Sequence, residues 1–247
     1  METFGLVGFP LTQSFSQKYF SQKFEKEGRS AQYKNFEIDS IGEFPEIFDD
    51  STIKGLNVTI PYKERVMPFV DELDPIAEKV GAVNVIKVSD KNGKLYLKGY
   101  NSDVFGFEES SKKYLKPNHT HALILGSGGA SKAVRYVLKE LGICFSIVSR
   151  RLKTDWLTYD LLTPELVKAN QLIINTTPLG MFPNVEGFPN IPYQAITANH
   201  FVFDLIYNPE QTLFMKKCMD NGAVAVNGYE MLVKQAEKAW EIWNGIN

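Results

Sequence analysis

Leu123-Ile124-Leu125-Gly126-Ser127-Gly128-Gly129-Ala130-Ser131 is an apolar run, a glycine loop and the opening of a helical pattern, in that order. The run begins at His121 and is short enough for a strand, and helical spacing follows from Ala130 to Leu141. A second apolar run, Cys144 to Val148, completes a strand–helix–strand unit. In such a unit Gly126 permits the tight turn after the first strand. Gly128 lets the backbone approach a pyrophosphate resting on the amides of the helix start. Ser131 stands where the dinucleotide fingerprint has its third Gly or Ala, but the order of strand, loop, helix and strand fits a parallel nucleotide-binding sheet.

The second strand runs into Ser149-Arg150-Arg151, with Lys153 just beyond. An NAD site carries an acidic residue here to hold the ribose hydroxyls, whereas two arginines suit a 2′-phosphate. The expected cofactor is therefore NADP.

Outward from this unit, short β-runs alternate with helical patterns, which gives an α/β fold. Further strands are expected at Leu172–Ile174 and Phe201–Leu205, and earlier at Gly5–Gly8, Tyr33–Glu37, Gly55–Thr59 and Ala82–Val88. Asp90-Lys91-Asn92-Gly93 is a turn signal before Lys94–Tyr100, so a hairpin makes the first sheet mixed. Asp103 is expected as a helix N-cap, with Phe107 and Tyr114 facing inward. Tyr229, Leu232, Val233, Ala236, Trp240 and Trp243 form one stripe of a final helix. The boundary between the halves falls near residues 103 to 118, and two packed halves would leave a cleft for a ligand.

With 44% apolar and 23% charged residues and a net charge of −2, the chain reads as a soluble globular protein with no attraction for nucleic acid or anionic membrane. No run approaches the roughly 20 apolar residues that span a bilayer, and no secretory signal opens the chain. Cys144 and Cys218 read as plain thiols of a reducing compartment, so a cytoplasmic location is expected. His119, His121 and His200 have no metal-ligand spacing, so no metal is expected.

Gly55-Leu56-Asn57-Val58-Thr59-Ile60-Pro61-Tyr62-Lys63-Glu64 is the other informative stretch. It reads as a strand giving way to a helix, with Pro61 in the first turn. An amide, a hydroxyl and an amine gathered at a strand end suit a small polyhydroxylated ligand and proton transfer. Taken alone, the stretch reads better as Asn57 and Thr59 capping a helix and Lys63 as a solvated surface lysine.

Together with Pro10 to Ser16, Gly81-Ala82-Val83-Asn84, Asn101-Ser102-Asp103, the glycine loop, Asn175 to Met181, Asp204 to Pro209, and Gly228 to Leu232 with Gln235-Ala236, that stretch resembles the shikimate dehydrogenase family nearly from end to end. The resemblance implies a substrate domain, residues 1–103 plus 228–247, and a Rossmann-like NADP-binding domain, residues 104–227. It implies reversible hydride transfer interconverting 3-dehydroshikimate and shikimate, in aromatic amino-acid biosynthesis, by a monomer or homodimer. Lys63 and Asp103 are then the catalytic pair, Lys63 moving the proton of the ring carbon-3 hydroxyl and Asp103 orienting it. Ser14 and Ser16 would hold the substrate carboxylate, and Asn57, Thr59, Asn84 and Ser102 the ring hydroxyls, with Tyr207 and Gln235 as further contacts. The cofactor residues implied are Gly126, Ser127, Gly128, Gly129, Ala130, Ser149, Arg150, Arg151, Thr176, Leu205 and Gly228. The chain departs from the family pattern at Val104, where a Gly is common, and at Ser149-Arg150-Arg151, where Asn-Arg-Thr is usual. Competing expectations are a quinate/shikimate dehydrogenase with relaxed cofactor use, a folate-interconverting relative, and a shikimate binder without catalysis. The pair Lys63 and Asp103 counts against the last.

Overall fold

A computed structural model describes residues 1–11, 14–151 and 153–245, so Thr12 and Gln13 of the first signature lie outside the described residues. The chain forms two compact units, Met1–Ser102 with Gln235–Asn247, and Asp103–Lys234.

The first unit contains β1 (Glu2–Gly8), α1 (Phe15–Lys26), β2 (Ala31–Glu37), β3 (Ile53–Val58), β4 (Glu72–Leu73), α2 (Pro75–Val80), β5 (Val85–Lys91) and β6 (Lys94–Tyr100). Its sheet has the order β2-β1-β3-β5-β6-β4. The strands β2, β1 and β3 run parallel, whereas β5 is antiparallel to both β3 and β6. The reversal from β5 to β6 comes from the hairpin: Asn92 and Gly93 take positive φ of 59° and 77°, the pairing a tight two-residue turn needs. One apolar cluster gathers Val7, Phe44, Leu56, Tyr62, Val66 and Ile86. Another is aromatic, with Phe4, Phe20, Phe24 and Tyr33 packed together with Trp240 and Trp243.

The second unit contains α3 (Ser102–Ser111, whose first residue closes the first unit), β7 (His121–Leu125), α4 (Gly129–Glu140), β8 (Cys144–Ser149), β9 (Trp156–Thr158), α5 (Pro164–Ala169), β10 (Leu172–Asn175), β11 (Phe201–Asp204), α6 (Leu213–Met219), β12 (Val224–Val226) and the start of α7 (Tyr229–Asn244). Every strand pair in this sheet is parallel, and the order is β12-β11-β10-β7-β8-β9. This is the doubly wound dinucleotide-binding order, with its reversal point between β7 and β10. The strands are continuous apolar runs because both faces are covered; Leu123, Leu125, Val148, Ile173, Val202 and Phe214 form the core. Phe107 meets Phe203 edge-on and Tyr114 stacks on Phe201, so both face the sheet as expected.

The later part of α7 belongs to the first unit. Trp243 lies flat over Gly55, where a Cβ would come within 2.3 Å of its ring, and its indole N–H donates to Ile86 O at 3.0 Å.

Three local expectations need correction. No α-helix starts at Pro61. The chain makes hydrogen-bonded turns instead, Tyr62 N to Thr59 O and Val66 N to Tyr62 O, before a short 3₁₀ turn at Met67–Phe69. The burial of Tyr62, whose hydroxyl donates to Ile38 O, draws the chain inward at once. Asp103 is not a cap but a first-turn residue of α3, because Asn84 Oδ1 accepts the Ser102 N–H at 2.7 Å and starts the helix one residue earlier. Tyr229, the first residue of α7, is exposed, and the buried stripe comprises Met231, Ala236, Ala239, Trp240 and Trp243. Cys144 is exposed at the first position of β8, while Cys218 is buried.

Candidate functional site

In the first unit, the parallel strands β1 and β3 end side by side. Thr59 N donates to Val7 O at 2.9 Å, and a Cβ on Gly8 would come within 2.5 Å of Thr59 Cγ2, so the chain turns here only because Gly8 lacks one. Lys63 follows on the turn, half-buried, with its carbonyl accepting from Val83 N at 2.7 Å. That bond ties the lysine loop to the segment that carries Asn84.

Around Asn84 the polar groups form one connected network. Asn84 Oδ1 accepts from Ser102 N, and Asn84 Nδ2 contacts Ser102 Oγ at 3.1 Å and Gln235 Oε1 at 3.4 Å. Asn57 Nδ2 donates to Asn84 O at 3.4 Å, and Asn57 Oδ1 accepts from Tyr33 Oη at 2.7 Å. Ser16 is hydrogen-bonded to Tyr33 in turn. Ser14 caps α1 by accepting from Gln17 N at 3.1 Å, a bond that does not use its hydroxyl proton. The fold thus brings together Ser16, Asn57, Asn84, Ser102 and Gln235, residues that are as much as 219 positions apart in sequence.

Tyr33 was not among the sequence-derived site residues. It is buried, and burial pushes its hydroxyl far above the ordinary phenol range. The available signal was the alternation Tyr33, Asn35, Glu37 in β2, a polar row where a fully apolar face would suit a helix. Each member ties down the chain near the start of α1: Tyr33 to Ser16, Asn35 Nδ2 to Gln17 Oε1 at 3.1 Å, and Glu37 Oε2 to Leu11 N at 3.1 Å.

In the second unit, the ends of β7 and β10 meet. Thr176 N and Oγ1 both donate to Leu125 O, and Gly126 N donates to Val148 O. Gly126 has φ +107°, and a Cβ there would lie 2.7 Å from Thr176 Oγ1, so the position requires glycine twice over. Gly128 caps α4 without a side-chain bond and faces open space, while Ser127 is exposed and Gly129 and Ala130 are half-buried. Ser131 fits its small slot because its buried hydroxyl donates to Gly128 O at 2.7 Å. Ser149 is buried and accepts from Arg151 N, while Arg150 and Arg151 are exposed. Burial raises the Tyr159 pKa against the opposing charge of nearby Arg150, and Lys153 sits 4.5 Å above the Trp156 ring.

Past the reversal point, Gly228 packs on the Leu205 backbone: a Cβ would fall 2.2 Å from Leu205 O, and Gly228 N donates to Ile206 O. Close packing within the unit therefore already explains this glycine. Tyr207 is half-buried, and burial raises its pKa. Asn175 and Asp204, fully buried at the ends of β10 and β11, are joined by Asn175 Nδ2 to Asp204 Oδ1 at 2.9 Å. Asp204 also accepts from Ile206 N and Thr212 Oγ1, and Asn175 Oδ1 accepts from Thr177 N and Oγ1. In the sequence the two stand 29 positions apart with no visible link; the parallel pairing of β10 and β11 sets them side by side.

The residues present fit NADP. The Gly126 turn leaves the amides at the start of α4 unobstructed for a pyrophosphate, and an exposed arginine stands where the ribose 2′-position falls in this fold.

Fold and site define a two-unit α/β protein built around dinucleotide binding. Residues 6–86 match the family model described as the shikimate dehydrogenase substrate binding domain. A curated shikimate dehydrogenase (NADP(+)) of Halothermothrix orenii is 38% identical over 270 residues, covering 98% of this chain and 90% of its own length. The chain belongs to the shikimate dehydrogenase family. Among solved structures, a chorismate mutase/shikimate 5-dehydrogenase fusion protein from Clostridium acetobutylicum superposes with a TM-score of 0.86 at 36% identity, covering 100% of this chain and 92% of that one. The shikimate 5-dehydrogenase of Thermus thermophilus, solved with NADP(H) and shikimate, gives 0.85 at 26% identity, covering 99% and 94%.

Proposed function

We propose that this chain is an NADP-dependent shikimate dehydrogenase that reversibly reduces 3-dehydroshikimate to shikimate in aromatic amino-acid biosynthesis. The observation that carries the reading is the hydroxyl–amide network of Asn57, Asn84, Ser102 and Gln235, joined to Ser16 through Tyr33, which suits a ligand bearing several ring hydroxyls. Residues 1–103 with 228–247 serve as the substrate domain and residues 104–227 as the NADP domain.

Ser14 donates to the substrate carboxylate with the proton its capping bond leaves unused. Ser16 turns its hydroxyl from Tyr33 to the same carboxylate. Asn57, Thr59, Asn84 and Ser102 hold the ring hydroxyls, with Gln235 and Tyr207 as further contacts. Lys63 takes the proton of the reacting hydroxyl in oxidation and returns it in reduction, and Asp103 orients that exchange by a charge-assisted hydrogen bond. Gly126 to Ala130 and Thr176 hold the pyrophosphate, Ser149, Arg150 and Arg151 the 2′-phosphate, and Leu205 and Gly228 border the nicotinamide. When bound, NADP accepts or supplies the hydride. The protein works in the cytoplasm as a monomer or homodimer, with no nucleic-acid or membrane partner; among the described residues no helix is long and apolar enough to cross a membrane.

The test crosses shikimate and quinate against NADP and NAD, following reduced cofactor by absorbance. Turnover is expected with shikimate and NADP above the other three pairs. Quinate turnover at a comparable rate would replace the reading with a quinate/shikimate dehydrogenase, and silence in all four would leave a binding protein.

A further inference from the structure

The hydrogen-bond directions around Asn57 are fixed by groups that cannot reverse. Ser102 N is a backbone donor, so the Asn84 atom facing it is Oδ1. The Asn84 carbonyl is a backbone acceptor, so the Asn57 atom facing it is Nδ2. Asn57 Oδ1 therefore faces Tyr33, which donates its only proton at 2.7 Å, and Tyr33 in turn accepts from Ser16. One phenol thus spans a residue assigned to the carboxylate and a residue assigned to a ring hydroxyl.

Resting on the functional reading above, we propose that Tyr33 is a positioning residue for substrate: its hydroxyl engages the Asn57 carbonyl oxygen, so that Asn57 meets the ligand with N–H. Without that bond the Asn57 side chain is free to rotate, since the remaining contact to Asn84 O is long at 3.4 Å. The ring has a separate structural task, stacking on Phe20 at 5.0 Å and 10°. The two tasks are separable because only the hydroxyl reaches Asn57.

Tyr33→Phe keeps the stack and removes the bond. Its KM for shikimate is expected to rise about five- to tenfold, the size of one lost hydrogen bond, with kcat and the KM for NADP within about twofold. In an Asn57→Ala background, Tyr33→Phe is expected to cost clearly less than in the wild type, because the part of its effect that passes through Asn57 is already lost. Independent, multiplying effects of the two substitutions, or a fall in kcat with KM unchanged, would overturn the proposal. The Asn57 side-chain amide resonance of the unliganded protein reads the same contact without substrate. It is expected to shift and broaden in Tyr33→Phe, and an unmoved resonance would overturn the proposal whatever substrate the enzyme turns over.

Discussion

Lys63 owes its placement to the residues on either side. Tyr62 is drawn into the core and anchored on Ile38 O, Val66 is buried on the other side of the turn, and the Lys63 carbonyl is held by Val83 N. The main chain at the lysine is therefore fixed, while its side chain stays half-buried rather than packed. A proton-transfer residue needs this combination, since its head group must reach the reacting oxygen without reorganising the backbone. Lys63→Ala is accordingly expected to lower kcat by about 10³-fold, within the range of general acid–base catalysis. The KM for shikimate should change only a few-fold, because the hydroxyls and amides assigned to the carboxylate and ring remain in the variant. Steady-state kinetics in both directions checks this, and near-normal turnover would remove Lys63 from the chemistry.

At the scale of elements, the glycine loop, α4 and the end of β8 act as one device, and its parts were legible because they are local. Gly126 takes a positive φ, Gly128 caps the helix, and Arg150 follows one residue after the strand, all set by sequence neighbours. Arg150→Ala is expected to weaken NADP binding roughly 10- to 100-fold, as for loss of a charge-assisted hydrogen bond, and NAD binding less than about twofold. Titration of each cofactor against the variant measures this, and equal weakening of both would dismiss 2′-phosphate recognition at this position. The polar network of the first unit was legible only in part. Asn57, Asn84 and Gln235 stood out through the family resemblance, whereas the alternation Tyr33, Asn35, Glu37 marks a polar row on β2 without showing that Tyr33 reaches Asn57 across β1. The absent helix at Pro61 has a similar cause, since Tyr62 is drawn inward by Ile38, a residue 24 positions away. The strand alternation and the hairpin at Asn92-Gly93, by contrast, were written in periodicity and turn chemistry.

For the molecule as a whole, Asp204 is the buried charge on which stability should turn. Fully buried at the end of β11, its carboxyl is raised by burial from 3.8 to about 6, against the opposing pull of Thr212, Ile206 N and Asn175. A raised folded pKa means that the native state binds the proton more tightly than the unfolded chain. The associated stability is fully present below about pH 4 and is lost as pH rises through about 6. Several other groups slope the opposite way: burial lowers the His119 pKa, and Asp50, Glu72 and Glu237 are held low by hydrogen bonds and lysine partners, so their contributions fade as pH falls. Comparison with Asp204→Asn cancels these, because the amide keeps an acceptor for Asn175 and Ile206 N and offers N–H to Thr212 while losing the titration. Between pH 4 and pH 7 the wild type is expected to lose about 2 kcal/mol relative to the variant, read as diverging urea midpoints. Parallel pH profiles, or a variant that loses ground as pH rises, would show that Asp204 stays ionised in its hydrogen-bonded site and that Asn175 and Thr212 outweigh its burial.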